Sequence, residues 1–309
     1  MIFIKELDFH SPALEDKAWV DSLLEGTEYF GCFCTFATFF LWKDMYATDV
    51  ARLDGAFLTR GRDDEGNVYY MYPLGRGYDI RECITALRAD AARFGGRLLI
   101  YCAEQWQCDE LRAAFPNEFA YEATRSEYDY LYRSENLIRL SGKKFHAKRN
   151  HVSKFMRMYP DWEYENITPD NLPECIDFAV NWLEQAIADE DDEAQVRELC
   201  MENSAIAMAL RNYGTLGMVG GLLRVDGRVI AITLGEPINR RVFVTHFEKA
   251  DTEFDGAYAA INQQFAANRL AAYEYINREE DMGLEGLRKA KLSYHPDILL
   301  EKYCIQDIS

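Results

Sequence analysis

Basic residues are scarce in this chain. Against 52 Asp and Glu stand 34 Lys and Arg, a formal charge of -18 over 309 residues. Affinity for a phosphate backbone comes from clustered cations, so a protein that coats nucleic acid over its whole surface is excluded. Long apolar runs are missing too. The richest stretch, residues 30–42, is short and carries Thr35 and Thr38, less than a bilayer-spanning helix requires. The opening MIFIKELDF has too short an apolar run and too early an acid for a signal peptide. A soluble, cytoplasmic protein with no integral membrane segment is expected. Paired cysteine motifs are also absent. Cys32, Cys34, Cys83, Cys102, Cys108, Cys175, Cys200 and Cys304 show no repeated two-residue spacing, which argues against zinc and against a disulfide framework. They read as buried thiols in a reducing compartment, and no metal is expected.

Apolar residues, by contrast, make up 49% of the chain and aromatics 14%, enough for a large core. The length fits one large domain or two of about 150 residues. Residues 2–9 read as a strand, and Ser11-Pro12 opens a helix that Gly26 stops. Residues 30–46 are aromatic on nearly every side, and periodicity leaves a buried helix and an irregular elbow equally open. A hairpin is expected from residues 50–59 and 67–74 across the turn GRDDEGN, then a helix over 80–94, a strand over 98–102, a helix over 106–115 and an extended run over 119–132.

Composition then shifts. Between 135 and 157 the cations Lys143, Lys144, Lys148, Arg149 and Lys154, with Arg139 and Arg157, face a single acid, which predicts a basic helix connecting two halves. Beyond it come a strand over 162–167, a helix from Pro169 to residue 188, an acidic turn over 189–193 and a helix over 194–213. Asp226-Gly227 marks a hairpin between strands 218–225 and 229–236. A strand over 273–276, a helix over 284–290 and a closing strand over 298–305 complete the chain. The second half repeats the element order of the first, so an α/β (α+β) fold of two similar domains is expected, over 1–133 and 161–309, joined by the basic helix at 134–160.

Residues 241–270 are the stretch around which the second domain is organised. Residues 242–249 alternate as a strand does, and Asp251, Thr252, Asp255 and Gly256 then lead into a helix marked by Ala257, Ala260, Ile261, Phe265 and Leu270. A strand feeding a helix through a glycine-bearing loop aims backbone N–H groups and the positive end of the helix dipole outward, where phosphates bind. Asp255 is expected to cap that helix. By the period of two, His246 and Glu248 fall on one face, so an imidazole and a carboxylate would project together as bases.

This element order resembles the Gcn5-related N-acetyltransferase (GNAT) fold, whose mostly antiparallel sheet splits after its fourth strand. NREEDMGLEGLRKAKLSYHP at 277–296 and SGKKFHAKRNHVSKF at 141–155 resemble motifs of the DUF2156 family, similar to the C-terminal catalytic domain of phosphatidylglycerol lysyltransferases. The resemblance implies two tandem GNAT-like domains, each a mostly antiparallel mixed sheet flanked by helices, with the reacting cleft in the second. It implies acyl or aminoacyl transfer, from acyl-CoA or from aminoacyl-tRNA, to a small-molecule amine or hydroxyl acceptor. Glu248 would be the base with His246 as its substitute, and Tyr294 the acid for the leaving group. Lys249, Asp255, Gly256, Ala257, Tyr258 and Asn262 would hold the donor. Asn277, Arg278, Glu279, Arg288 and Lys291 would hold the acceptor. The basic helix has two readings, a grip on tRNA phosphates or a counterweight to an acidic partner domain. A noncatalytic protein binding a small ligand or peptide in the same groove is the competing class.

Overall fold

The computed structural model describes residues 6–63, 65–188 and 190–309. Along the chain run α1 (Lys17–Leu24), α2 (Phe36–Leu41), β1 (Asp49–Leu53), β2 (Ala56–Arg62), β3 (Val68–Met71), β4 (Leu74–Gly75), α3 (Ile80–Arg93), β5 (Leu99–Glu104), α4 (Gln105–Ala114), β6 (Phe119–Ala123), β7 (Asp129–Arg133) and α5 (Ser134–Arg139). Next come α6 (His146–Met158), β8 (Glu163–Asn166), α7 (Leu172–Ile187), α8 (Glu193–Arg211), α9 (Tyr213–Leu216), β9 (Val219–Val225), β10 (Arg228–Pro237) and β11 (Val242–Ala250). The last are α10 (Ala257–Arg269), β12 (Tyr275–Asn277), α11 (Glu285–Leu292), β13 (Ile298–Leu300) and β14 (Lys302–Asp307).

Two compact units result, and they do not follow chain order. One holds the chain up to Asp129 together with Glu280–Arg288 and Leu299–Ser309; the other holds Tyr130–Glu279 and Lys289–Ile298. Each is built on a seven-stranded mixed sheet flanked by helices. The first sheet has the order β1-β2-β3-β5-β14-β6 with β4 also on β2, and the second β13-β7-β12-β11-β10-β9-β8. Most neighbours are antiparallel. β3 with β5, and β11 with β12, run parallel. Leu58, Tyr70, Ile84, Leu87, Ile100 and Leu111 are central to the first core. In the second unit Tyr132, Phe145, Phe243 and Phe265 form one core cluster, and Phe155, Leu223, Ile230 and Ile261 another.

Several expectations are corrected. The closing strand breaks at Glu301, and β14 pairs antiparallel with both β5 and β6, so the second domain does not run to residue 309. Pairing partners distant in sequence leave no local trace. The single strand expected over 50–59 is itself a hairpin, β1 and β2, turned at Asp54-Gly55 with Asp54 at φ 48°. The run 119–132 is interrupted by a 3-10 turn at Arg125–Glu127. Of residues 30–46, only α2 is helical. The basic segment is two helices rather than one, because Leu140 (φ 46°) and Gly142 (φ 85°) reverse the chain between α5 and α6. The strand at 2–9 falls partly outside the described residues, and Glu6 to Phe9 are not a strand. The 63–66 turn and the acidic turn at 189–193 likewise each include one residue outside them.

The expected turn at Asp226-Gly227 is present, with φ of 49° and 76°, the paired left-handed values that a tight two-residue hairpin requires.

Candidate active site

β11 and β12 touch at three positions only, Val242 with Tyr275, Phe243 with Ile276 and Val244 with Asn277. Past Val244, β11 continues along β10 to Ala250, whereas β12 ends at Asn277. The chain beyond it is held by Tyr130, which accepts from the Arg278 N–H at 2.9 Å and donates its own N–H to the Glu279 carbonyl at 3.2 Å. The sheet therefore forks, and Glu248 and Arg278 stand at the fork.

Glu248 is nearly buried, with a side chain 10% exposed. One carboxylate oxygen accepts from Arg278 Nη2 at 2.8 Å and the other from Asn262 Nδ2 on α10 at 3.0 Å. The Arg278 guanidinium lies 5.0 Å from the Tyr294 ring centre and 5.8 Å from that of Tyr132. On α6, Lys148 places its ammonium 3.9 Å over the face of Tyr294. Burial disfavours the charge on Lys148, the Arg278 cation disfavours it further, and Glu248 restores part of it, so its pKa falls to about 8. Burial lifts the Tyr294 hydroxyl to about 12, which keeps its proton in place at neutral pH.

Among the described residues, six buried side-chain polar atoms lack a hydrogen-bond partner, and three of them surround Glu248: Arg278 Nη1, Asn262 Oδ1 and Thr233 Oγ1. Thr233 sits directly across β10 from Glu248. An unmet donor and acceptor in a buried place cost free energy unless something else meets them. At this fork one N–H group and two oxygen atoms are left unmet.

His246 does not join them. The register of β10 and β11 slips between Leu234 and Gly235, so β11 carries one extra residue there and its alternation of faces reverses. Phe243 packs on Phe265 of α10 before the slip, and Glu248 bonds Asn262 of α10 after it. His246 is turned to the opposite face, where Nδ1 meets Glu279 Oε1 at 2.8 Å and Nε2 meets Glu236 Oε1 at 3.2 Å. The shared face expected from simple alternation is thereby overturned. So is the role of substitute base: burial opposes the charge, but the two carboxylates outweigh it and raise His246 to about 10, so it carries a proton at neutral pH. Gly235 permits the slip, since a Cβ there would lie 1.9 Å from the Val244 carbonyl oxygen. A glycine inside a strand was the signal available in the sequence.

The mouth of α10 is more crowded than expected. Asp255 forms an ion pair with Lys154 and caps nothing; Gly256 occupies the cap at φ 89°. A Cβ on Gly256 would meet the His151 carbonyl at 2.6 Å and Phe155 at 3.1 Å, so α6 lies directly against this end. The Ala257 N–H is already given to the Phe254 carbonyl at 3.0 Å. Tyr258 is 39% exposed on the next position. Lys249 points away from the fork, to Glu202 at 2.7 Å and over the Trp182 ring at 4.0 Å.

Of the remaining candidates, Asn277 is fully buried and accepts from the Glu279 N–H at 2.7 Å, and Lys291 donates to the Arg278 carbonyl at 2.6 Å. Both shape the turn that presents Arg278. Arg288 belongs to the first unit and grips Asp281 through two 2.8 Å bonds. In the basic patch, Arg149 donates to the carbonyls of Leu140 and Gly142 and Lys154 is paired; Lys143 and Lys144 are exposed. No described helix is long and apolar enough to cross a membrane.

Comparison with known proteins agrees with this fold. Residues 27–306 match the family described as phosphatidylglycerol lysyltransferase, C-terminal. A conserved protein of unknown function from Bacteroides thetaiotaomicron is 37% identical, with TM-score 0.89 over 97% of this chain and 99% of that one. The C-terminal DUF2156 domain described for a lysylphosphatidylglycerol synthetase of Agrobacterium fabrum shares the fold at 15% identity and TM-score 0.69, over 96% of this chain and 92% of that one. L-PGS from Bacillus licheniformis does so at 13% identity and TM-score 0.69, over 98% and 94%. An uncharacterized protein of Mycoplasmoides gallisepticum is 26% identical over 222 residues, 65% of this chain and 68% of its own length.

Proposed function

The chain belongs to the phosphatidylglycerol lysyltransferase C-terminal family, and on that premise we propose that it transfers an aminoacyl group from aminoacyl-tRNA to a hydroxyl or amine acceptor at the fork of the second sheet. The observation that carries this reading is the cluster of unmet polar atoms around Glu248. A transfer site needs donors for a developing oxyanion, a proton acceptor, and an acid for the leaving group. The unused Arg278 Nη1 N–H supplies the first, aimed by the bond of Nη2 to Glu248. The neutral amine of Lys148 takes the acceptor's proton as the new ester or amide bond forms. Tyr294 returns a proton to the ribose oxygen as its bond to the acyl carbon breaks. Glu248, engaged on both oxygens, then acts by positioning Arg278 and Asn262 rather than as the base.

Aminoacyl-tRNA is preferred over acyl-CoA because the α10 end where a diphosphate would sit lies against α6. Exposed Lys143 and Lys144 on the segment leading into α6 supply cations for a tRNA backbone. The acceptor stays at the level of its chemistry, a hydroxyl or amine, with an anionic glycerophospholipid first among those to try, as the family name implies.

The experiment offers the purified protein a panel of radiolabelled aminoacyl-tRNAs with phosphatidylglycerol vesicles and, in a parallel arm, acyl-CoAs with simple amines. Protein-dependent movement of label from tRNA to acceptor, lost in Arg278→Gln, supports the reading. Turnover or a raised melting temperature with acyl-CoA alone replaces the donor. No turnover in either arm returns the groove to the noncatalytic class.

A further inference from the structure

The first sheet contains a second charged cluster that the proposed reaction does not use. Lys302 opens β14 with its side chain 1% exposed, and its ammonium donates to Asp129 Oδ1 at 2.5 Å. The same ammonium stands 3.2 Å from the sulfur of Cys32, which itself lies 3.3 Å from Asp129 Oδ1 and 3.7 Å from Glu280 Oε2. Cys32, Asp129 and Glu280 have the composition of a cation site. Lys302 already supplies the cation, at bonding distance from two of the three.

Beside this cluster lies a recess lined by Phe33, Cys34, Met71, Tyr72, Cys102 and Lys302, among others, with space for about one water-sized molecule. Lys302 is common to this recess and to the cluster. Two thiols, Cys34 and Cys102, line the recess, and a third, Cys32, lies 3.2 Å from the Lys302 ammonium that also lines it. Burial pushes Cys34 and Cys102 well above the ordinary thiol range, so they remain protonated and inert. Cys32 is the thiol with an ammonium at its sulfur.

We propose that Cys32 and Lys302 are a redox modification site, at which peroxide joins the cysteine sulfur to the lysine nitrogen by a covalent bridge. Hydrogen peroxide transfers one oxygen to the Cys32 thiol, giving a sulfenic acid and water, with sulfur oxidised by two electrons and peroxide reduced by two. The Lys302 nitrogen, relieved of a proton by Asp129, attacks that sulfur; the S–N bond forms, the S–O bond breaks, and a second water leaves. The product is a sulfenamide two hydrogens lighter than the reduced protein. Two equivalents of a thiol reductant reopen it, returning the thiol and the amine and leaving a disulfide of the reductant. The nitrogen is already within van der Waals contact of the sulfur, so little motion separates the reduced pair from the bridged one.

The test treats the full chain with hydrogen peroxide, digests it and maps the peptides by mass spectrometry. The expected result is a linked pair of peptides, one containing Cys32 and one containing Lys302, two hydrogens lighter than their sum and released by dithiothreitol. The link should persist in Cys34→Ser and Cys102→Ser and vanish in Cys32→Ser. Recovery of Cys32 from the oxidised wild-type protein as free thiol, as sulfinic acid, or in a disulfide with Cys34 or Cys102, with Lys302 unmodified, overturns the proposal. Because the deciding readout is made on the wild-type protein, a variant that fails to fold leaves it standing or falling on its own.

Discussion

Both sheets part beside a parallel strand pair, and the two forks are furnished differently. In the first, β3 and β5 touch only through Tyr70 with Ile100 and Met71 with Tyr101, and the buried cation beyond, Lys302, is spent on Asp129. In the second, β11 and β12 touch at three positions, and the buried cation Arg278 gives one nitrogen to Glu248 and keeps the other unused. A guanidinium has five N–H donors in a rigid fork, so it can be anchored and still offer a bond; an ammonium buried against a carboxylate has less left over. The contrast teaches that a buried ion pair by itself does not mark a site of group transfer. What marks it is the unmet remainder.

If the first pair is structural, its loss must be costly. Lys302→Met leaves Asp129 buried without its cation and should lower the unfolding free energy by about 3–5 kcal/mol in denaturant titrations; a change under about 1 kcal/mol would place the two forks in one class. His246 gives the next effect. Its folded pKa is raised above the unfolded value, so its contribution is complete below pH 6.5 and disappears as pH rises through about 10. Melts across that window should show a loss on the order of a few kcal/mol that His246→Gln flattens.

At the second fork the expected cost falls on rate. Glu248→Gln should slow transfer by about 100-fold, through misplaced Arg278, and lower stability by about 1–3 kcal/mol, because the amide keeps a hydrogen bond to Arg278 but not its counter-charge. A stability loss as large as that of Lys302→Met would erase the distinction. Gly235→Ala should cost about 1–3 kcal/mol, because the added carbon collides with backbone rather than with a movable side chain. The smallest effect is on the pH profile. Transfer should rise with pH through about 8 as Lys148 loses its proton, and in Arg278→Gln, which no longer turns over, the pH dependence of Lys148 labelling by an amine-reactive reagent should move upward, by less than about one unit, since a cation that disfavours the lysine's charge is gone. A downward or absent shift would remove Lys148 from the reaction.

Local features were legible wherever a turn or a period determined them. The hairpin at Asp226-Gly227, α3, α7 and α10 are where the residues imply, and the sheet forks past residue 240 as the resemblance to the GNAT fold implies. Asp54-Gly55 carries the same turn signal as Asp226-Gly227, yet the β-rich residues on both sides read through it as one strand. Three things escaped for a different reason. The face of Glu248 depends on a one-residue slip against β10, the depressed pKa of Lys148 depends on what α6 packs against, and the partners of β14 lie 180 to 207 residues earlier, as in Ile305 with Ile100 and with Tyr121. Each is a property of two segments together, which no window on one segment contains.

That last strand has a consequence for how the molecule comes into being. β5 and β6 do not touch each other in the finished sheet; β14 fills the slot between them. During synthesis the early unit must therefore wait, with two strand edges exposed, until residues 302–307 leave the ribosome, while the later unit can gather around β9, β10 and β11 beforehand. The half of the protein made first is the half finished last.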